Sequence, residues 1–130
     1  MAVQNKQIVV PFIAAGDLST KQFYFVKLSA AHTVTVCAAA TDKPIGVLQN
    51  KPNAAGQEAE VCVFGWTKVS SDGSVSAGHL IGTSGDGQGD SKTPGTDTTE
   101  YICGQALTAG TTAGDIFEAF INCANIGRAT

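Results

Sequence analysis

The residues best suited to chemistry are two histidines, four cysteines and one acidic, glycine-rich turn. His32 and His79 are the only histidines, and each has apolar neighbours without an acidic residue or a nucleophile at local spacing. A catalytic set can still be assembled from distant parts of a chain, so a hydrolase with His79 as its base stays open. The simpler interpretation is a histidine at the surface or at a strand end.

The acidic turn is Gly85–Asp90, whose glycines and aspartates are also found in phosphate-binding and calcium-binding loops. A phosphate loop needs a strand before it, a helix after it and usually a Lys-Ser/Thr pair, which this sequence does not show. Two aspartates four residues apart do not supply the oxygens of a calcium loop. We therefore expect a flexible surface loop, and no metal or cofactor.

The cysteines are far apart in the sequence and stand in small-apolar or β-like contexts: Cys37, Cys62, Cys103 and Cys123. They form no C-x-x-C pair and have no histidine at ligand spacing, which argues against a zinc site. Buried free thiols in a reducing compartment are the favoured interpretation. Two disulfides in a secreted ligand- or carbohydrate-binding β-domain are the alternative.

Charge is scarce along the chain. Charged residues make up 15% of the 130 residues, against the usual quarter, and the net charge is -3 without any basic run. This composition argues against binding to nucleic acid or anionic lipid, and no apolar run is long enough to span a membrane. A surface poor in charge suits burial against protein partners, because desolvating a charge is costly.

Short alternating segments separated by glycine, proline and aspartate predict an all-β fold. We predict a small single-domain β-barrel or β-sandwich over residues 1–130. The predicted strands are Phe23–Leu28, Thr33–Ala38, Ile45–Gln49, Glu58–Phe64, Thr67–Val69, His79–Gly82, Tyr101–Leu107 and Asp115–Ile121. Ala-Gly pairs at Gly16, Gly56, Gly78 and Gly114 predict turns, since glycine adopts positive φ cheaply.

Two segments interrupt this pattern. The stretch Gly82–Glu100 has no aliphatic or aromatic side chain and carries the whole net charge of -3, since the rest of the chain is neutral. A loop of that length is generally disordered or functional, and we expect it to be held in place by neighbouring chains.

The other segment is the apolar N-terminus, residues 1–16, which predicts an extended arm. Pro11 interrupts its apolar run, so a signal peptide is not expected. An extended segment can add to a partner's sheet edge, so its candidate partner-binding residues are Ile8, Val9, Val10, Pro11, Phe12 and Ile13. An ordinary first strand is the alternative. Trp66 is a further candidate for partner binding, although a lone tryptophan is also a common core residue.

Several segments together resemble the capsid cement, or head decoration, proteins of tailed bacteriophages: Gly16–Leu18, Gln22–Leu28, Lys43–Asn50, Ala54–Val61, Gly65–Val69, Gly104–Leu107 and Ala113–Asp115. Pro-Ile-Gly-Val-Leu-Gln-Asn, within Lys43–Asn50, is the most specific of them. The resemblance implies a β-clip or β-tulip-like domain on the outer surface of a virion head, made in the host cytoplasm. It also implies homotrimers that bind the major capsid protein, with no catalysis and no cofactor. On this hypothesis, deletion of Met1–Ala15 abolishes capsid binding and leaves the domain folded.

Overall fold

The computed structural model describes residues 6–130, and in them the chain forms strands and turns without a helix. The prediction of an all-β fold is confirmed. The strands are β1 Gln7–Ala14, β2 Phe25–Ala30, β3 Thr33–Val36, β4 Gly46–Leu48, β5 Glu58–Ser70, β6 Leu80–Thr83, β7 Gly89–Ser91, β8 Tyr101–Ile102, β9 Gly104–Ala106, β10 Ile116–Asn122 and β11 Gly127–Arg128.

Nine strands form one sheet in the order β1-β3-β2-β4-β5-β10-β9-β6-β7, and β8 pairs with β11. Because β1 pairs with both β3 and β5, the first five strands form a ring of pairings. The sheet as a whole is not a closed barrel, since the second half of β5 leaves the ring to pair with β10. We call this half of β5, with β10, β9, β6 and β7, the wing.

The wing gives the molecule two cores. One core lies among the ring strands and is built from small and branched side chains such as Val26, Val34, Leu48 and Val61. The other joins residues of the ring to residues of the wing: Phe25, Val47, Cys62, Ile81, Phe117 and Ile121. This second core therefore packs the wing against the ring.

Strand β5 is continuous where the sequence predicted a break between two strands. Its pairing with β1 shifts register between Ile8 and Val9, which leaves Val63 as an extra residue in β5. Gly65 follows with φ of +117°, and a Cβ there would overlap the carbonyl oxygen of Lys6. A bulge and a glycine bend a strand without ending it, so β5 serves both the ring and the wing.

The predicted Ala-Gly turns are confirmed at three of four positions. Gly56, Gly78 and Gly114 have φ near +90°, while Gly16 does not have positive φ. Strand β2 begins two residues later than predicted, at Phe25, because Phe23 itself has φ of +68°.

The expectation of a flexible loop at Gly85–Asp90 was wrong. Asp86 accepts hydrogen bonds from Ser84 Oγ and from the Gln88 amide, and the Gly87 carbonyl accepts one from the amide of Phe25. Gln88 is buried and donates from Nε2 to Ser70 Oγ at 3.0 Å. Polar side chains thus bond this turn to the chain's own strands, which apolar patterning could not reveal.

The rest of the stretch Gly82–Glu100 is also held by contacts within the chain, and its contact with neighbouring subunits stays a prediction. The Lys92 side chain is fully buried and forms an ion pair with Glu100, with Asp90 at 3.8 Å. The amide of Gly95 donates to the carbonyl of Ala129, and that of Thr93 to Asp97 Oδ2. A buried lysine therefore replaces the apolar anchors that this stretch lacks.

The described part of the N-terminal segment is an integral strand rather than a projecting arm. From Gln7 to Ile13, β1 pairs antiparallel with β5, and the amides of Ala14 and Ala15 donate to Gln57 and Val34. The chain's own sheet therefore occupies the side of β1 that faces β5, while on the other side β3 pairs with β1 at Ile13 and Ala14. The alternative of an ordinary first strand is correct for these residues, and residues 1–5 of the predicted arm lie outside the described residues.

The prediction of buried free thiols is confirmed, because all four cysteines are buried and none forms a disulfide. Burial raises the pKa of Cys37 to about 12 and that of Cys62 to about 11, although the hydrogen bonds of Cys37 with Thr83 and of Cys62 with the Phe64 backbone act in the opposite direction. At neutral pH these side chains are protonated and serve as small apolar core residues. The structure has neither of the two disulfides that the secreted alternative requires.

Candidate functional site

The wing has one buried and one uncovered face. Along β10, Phe117, Ala119 and Ile121 are buried, as the alternation of the sequence predicted. The intervening Ile116 and Phe120 are 48% and 45% exposed. Because successive residues of a strand point to opposite faces, the uncovered side of β10 carries large apolar side chains as well as Glu118.

Four residues from three neighbouring strands meet on this uncovered side, and we call them the aromatic face: Ile8, Phe64, Trp66 and Phe120. Ile8 lies opposite Phe64 in the pairing of β1 with β5, and Trp66 lies opposite Phe120 in the pairing of β5 with β10. The rings of Phe64 and Phe120 contact edge to face, with centroids 5.4 Å apart. Opposed residues on neighbouring strands form one continuous surface, so the face is a single apolar patch.

The exposure of the aromatic face is considerable. Ile8 is 57% and Phe64 38% exposed, and a shallow depression of about 250 Å³ between them is lined by Lys6, Gln7, Ile8 and Phe64. Contiguous exposed apolar surface of this kind is typical of protein interaction sites.

Trp66 is half-buried, so its ring belongs partly to the surface and partly to the support beneath it. Its amide donates to the Lys6 carbonyl at 2.9 Å, and its carbonyl accepts from Gln7 Nε2 at 3.0 Å. Its indole N–H is shielded and has no hydrogen-bond partner within residues 6–130. Trp66 therefore contributes its ring, and its backbone fixes the start of β1 beside the aromatic face.

Charged side chains border the aromatic face at Lys6, which lines its depression, and at Lys68 on β5 and Glu118 on β10. Lys68 and Glu118 lie opposite each other in the strand register, so their charges offset each other and leave that of Lys6. With one net charge at its border, the face is suited mainly to apolar burial.

The structure brings together two of the predicted partner-binding residues and separates the others. Ile8 and Trp66 share the aromatic face, whereas Val9, Pro11 and Ile13 follow along the exposed side of β1. Val10 and Phe12 are half-buried, and Phe12 packs against the ring core. That these residues bind a partner remains a prediction.

Sequence reasoning missed Phe64 and Phe120. The signal for Phe120 was present, because it alternates in phase with Glu118, which was predicted to point outward. Phe64 was hidden by the bulge at Val63, which reverses the alternation within β5.

Neither histidine lines the depression between Ile8 and Phe64. His79 Nδ1 lies 2.8 Å from Ser91 Oγ, but it also accepts a hydrogen bond from the Ser76 amide, and its side chain is exposed. His32 occupies the tight turn between β2 and β3 with φ of +53°. A serine and a histidine on an exposed surface lack the enclosed geometry that activates a nucleophile.

The carboxyl group of Asp72 lies close to that of Asp86 in the acidic turn. Burial, followed by the charges of Asp86 and Asp90, raises the pKa of Asp72 above its ordinary value. Within residues 6–130, no group of three or more His, Cys, Asp or Glu side chains is arranged to hold a metal ion.

The same residues include no helix long and apolar enough to cross a membrane.

No protein-family model matches the chain, and no curated protein sequence is significantly similar to it. A solved structure is similar: the N base of the head fiber gp8.5 in bacteriophage phi29. The TM-score is 0.63, the match covers 91% of this chain and 96% of that chain, and the sequences are 14% identical. At that identity the likeness shows a shared fold.

Proposed function

We propose that this chain is a structural protein of a phage virion that decorates the head. In this role it binds the major capsid protein on the outer surface and stabilises contacts between neighbouring capsid subunits. The proposal includes no catalytic step and no cofactor.

The observation that carries this proposal is the end-to-end fold likeness to the base of a phage head fiber. The match extends over nearly all of both chains, so the likeness concerns the whole architecture of ring and wing rather than one common hairpin. The head decoration proteins that the sequence resembles are expected on the same part of a virion.

The mode of binding follows from the aromatic face. Full burial of one large apolar side chain contributes about 1.5 to 3 kcal/mol. Phe64 and Phe120 are already oriented by their mutual contact and by the β5–β10 pairing, so little side-chain entropy is lost on binding. A rigid aromatic pair on a sheet suits docking onto a preformed protein lattice.

Decoration stabilises a head by mass action. A protein that binds only the assembled lattice shifts the equilibrium away from disassembly, and each bound copy adds to that shift. Homotrimers on the head belong to the same proposal, because symmetric binding would engage several capsid subunits at once.

The test is co-sedimentation of the purified chain with heads assembled from the major capsid protein of the same phage. We expect saturable binding by the wild-type chain. The double variant Phe64→Ser with Phe120→Ser removes two apolar contacts and should weaken binding ~10-fold or more. The two side chains are 38% and 45% exposed, so their remaining burial contributes about 1 to 2.5 kcal/mol in total, and each ~1.4 kcal/mol is a factor of ten.

The matched control is Phe64→Leu with Phe120→Leu, which keeps apolar side chains at both positions and should retain most of the binding. Circular dichroism melting checks that the serine variant is folded, as expected for partly exposed positions. Equal binding by the serine variant and the wild type would refute the aromatic face as the docking surface, and no binding by the wild type would refute decoration.

A further inference from the structure

A groove lies apart from the aromatic face, between the exposed side of β2 and the turn that follows β10. It has a volume of about 550 Å³. The residues that line it come from three places in the sequence: Lys27 and Leu28 on β2, Lys43, Pro44 and Ile45 before β4, and Cys123, Ala124, Asn125 and Ile126 after β10.

One wall of the groove is an open strand edge. β4 pairs with β2 only through Phe25 and Val26, and the last contact is the hydrogen bond from the Ile45 amide to the Val26 carbonyl at 2.8 Å. The next residue back along the chain is Pro44, which has no N–H to continue the ladder. Pairing on this side of β2 therefore stops before the strand does.

Leu28 is the first residue of β2 whose backbone groups face this side of the strand without a partner from β4. Backbone groups of alternate residues in a strand point to the same side, so Leu28 presents its N–H and C=O where Val26 bonds to Ile45. The Leu28 side chain is 50% exposed and lies in the groove with Ile45 and Ile126, both half-buried. An unpaired edge and an apolar floor thus occur together.

The charge of the groove is positive. Lys27 is neutralised by Asp42, with Nζ 2.8 Å from Oδ2. Lys43 is exposed, and within residues 6–130 no carboxylate lies in ion-pair distance of it. The groove therefore offers one uncompensated cation beside the open edge.

We infer that this groove binds an extended, acidic segment of another protein. The segment adds a strand to β2 at Leu28, with backbone hydrogen bonds supplying affinity. One of its apolar side chains packs on Leu28 and Ile126, and a neighbouring Asp or Glu side chain pairs with Lys43. Charge complementarity selects an acidic partner, and the strand edge selects an extended one.

The test is selection of binders to the full chain from a library of random dodecapeptides displayed on filamentous phage. We expect the enriched peptides to share alternating apolar residues with at least one Asp or Glu. Synthetic copies, measured by fluorescence polarisation, should lose ~10-fold or more in affinity against Lys43→Glu and against Leu28→Asp. Lys51→Glu, a charge reversal of an exposed lysine outside the groove, is the matched control and should bind as the wild type does.

Other results would overturn the inference. These are the absence of enriched peptides, enrichment of basic or uncharged peptides, and binding that persists in both groove variants. A wild-type dimer that Leu28→Asp dissociates, without peptide binding, would mean that a second copy of the chain occupies the groove. Co-sedimentation with heads is a separate measurement, so failure here leaves the proposed decoration role standing.

Discussion

Lys92 is the charged residue among the buried side chains of the described chain, and it determines how the stretch Gly82–Glu100 is ordered. Its aliphatic stem packs near Gly82, and its ammonium group meets the carboxylates of Glu100 and Asp90. A buried ion pair of this kind adds little net stability, but it is costly to break from one side only.

We therefore predict an asymmetry between the two halves of this ion pair. Glu100→Gln leaves a fully buried ammonium group without its main carboxylate and should lower the free energy of unfolding by about 3 kcal/mol. Lys92→Met leaves carboxylates that are 21% and 45% exposed, which water can solvate, so the loss should be nearer to about 1 kcal/mol. Urea denaturation measures both variants. Equal losses, or a larger loss for Lys92→Met, would contradict the buried geometry.

Asp42 makes a pH-dependent contribution to the stability of the fold. It accepts hydrogen bonds from Lys27 Nζ and from the amides of Ala38 and Ala39. Burial acts to raise the pKa of Asp42, but these hydrogen bonds and the lysine charge outweigh it and lower the pKa below the ordinary 3.8. A carboxyl group whose pKa is lowered by folding stabilises the fold above its unfolded pKa and loses that effect as pH falls through its folded pKa.

We expect Asp42→Asn to lower the free energy of unfolding by about 1 kcal/mol at pH 7. The difference from the wild type should shrink as pH falls below about 4, where the unfolded carboxyl group is protonated. Urea denaturation at a series of pH values tests this. A difference that is unchanged at the acidic end of the series would show that the carboxylate charge is not the cause.

At the scale of the elements, β5 pairs with β1, β4 and β10 and so links the ring to the wing. It bends at Gly65. We predict that Gly65→Ala lowers the free energy of unfolding by about 2 kcal/mol or more, because alanine is strained at positive φ and its Cβ overlaps Lys6. Gly56→Ala is the control, since Gly56 also has positive φ but open space around it. Thermal melting should rank Gly65→Ala as clearly the less stable variant, and equal melting temperatures would contradict the close approach of β1.

The integration of β1 also changes the expected result of deleting Met1–Ala15. The sequence suggested that this deletion leaves the domain folded. In the structure it removes the partner of both β3 and β5 and opens the ring core, so loss of head binding would then reflect unfolding. Point substitutions on the aromatic face separate binding from folding, whereas the deletion does not.

The sequence predicted those elements whose signals are local. Alternation identified the buried side of β10, and glycine identified the turns at Gly56, Gly78 and Gly114. It did not predict that β1 pairs with β5, because the two strands are distant in sequence. The bonding of Gln88 to Ser70 was missed for the same reason, since such partners are set by the tertiary fold.

At the scale of the whole molecule, some apolar side chains of the sheet are buried in cores and others are exposed to solvent. The ring and the inner side of the wing bury theirs in two cores, while the outer side of the wing leaves the aromatic face in solvent. Half of the aromatic face was predicted, since Ile8 and Trp66 were candidates from sequence, and Phe120 was predictable from its alternation with Glu118. Phe64 was not predictable, because the bulge that exposes it depends on the pairing with β1.

The central claim, that the outer side of the wing docks on a phage head, is tested most directly by electron cryomicroscopy of heads saturated with this chain. We predict density for the ring and wing on the outer surface, with Phe64 and Phe120 against the major capsid protein. Density in which the aromatic face points to solvent and another surface contacts the capsid would contradict the claim.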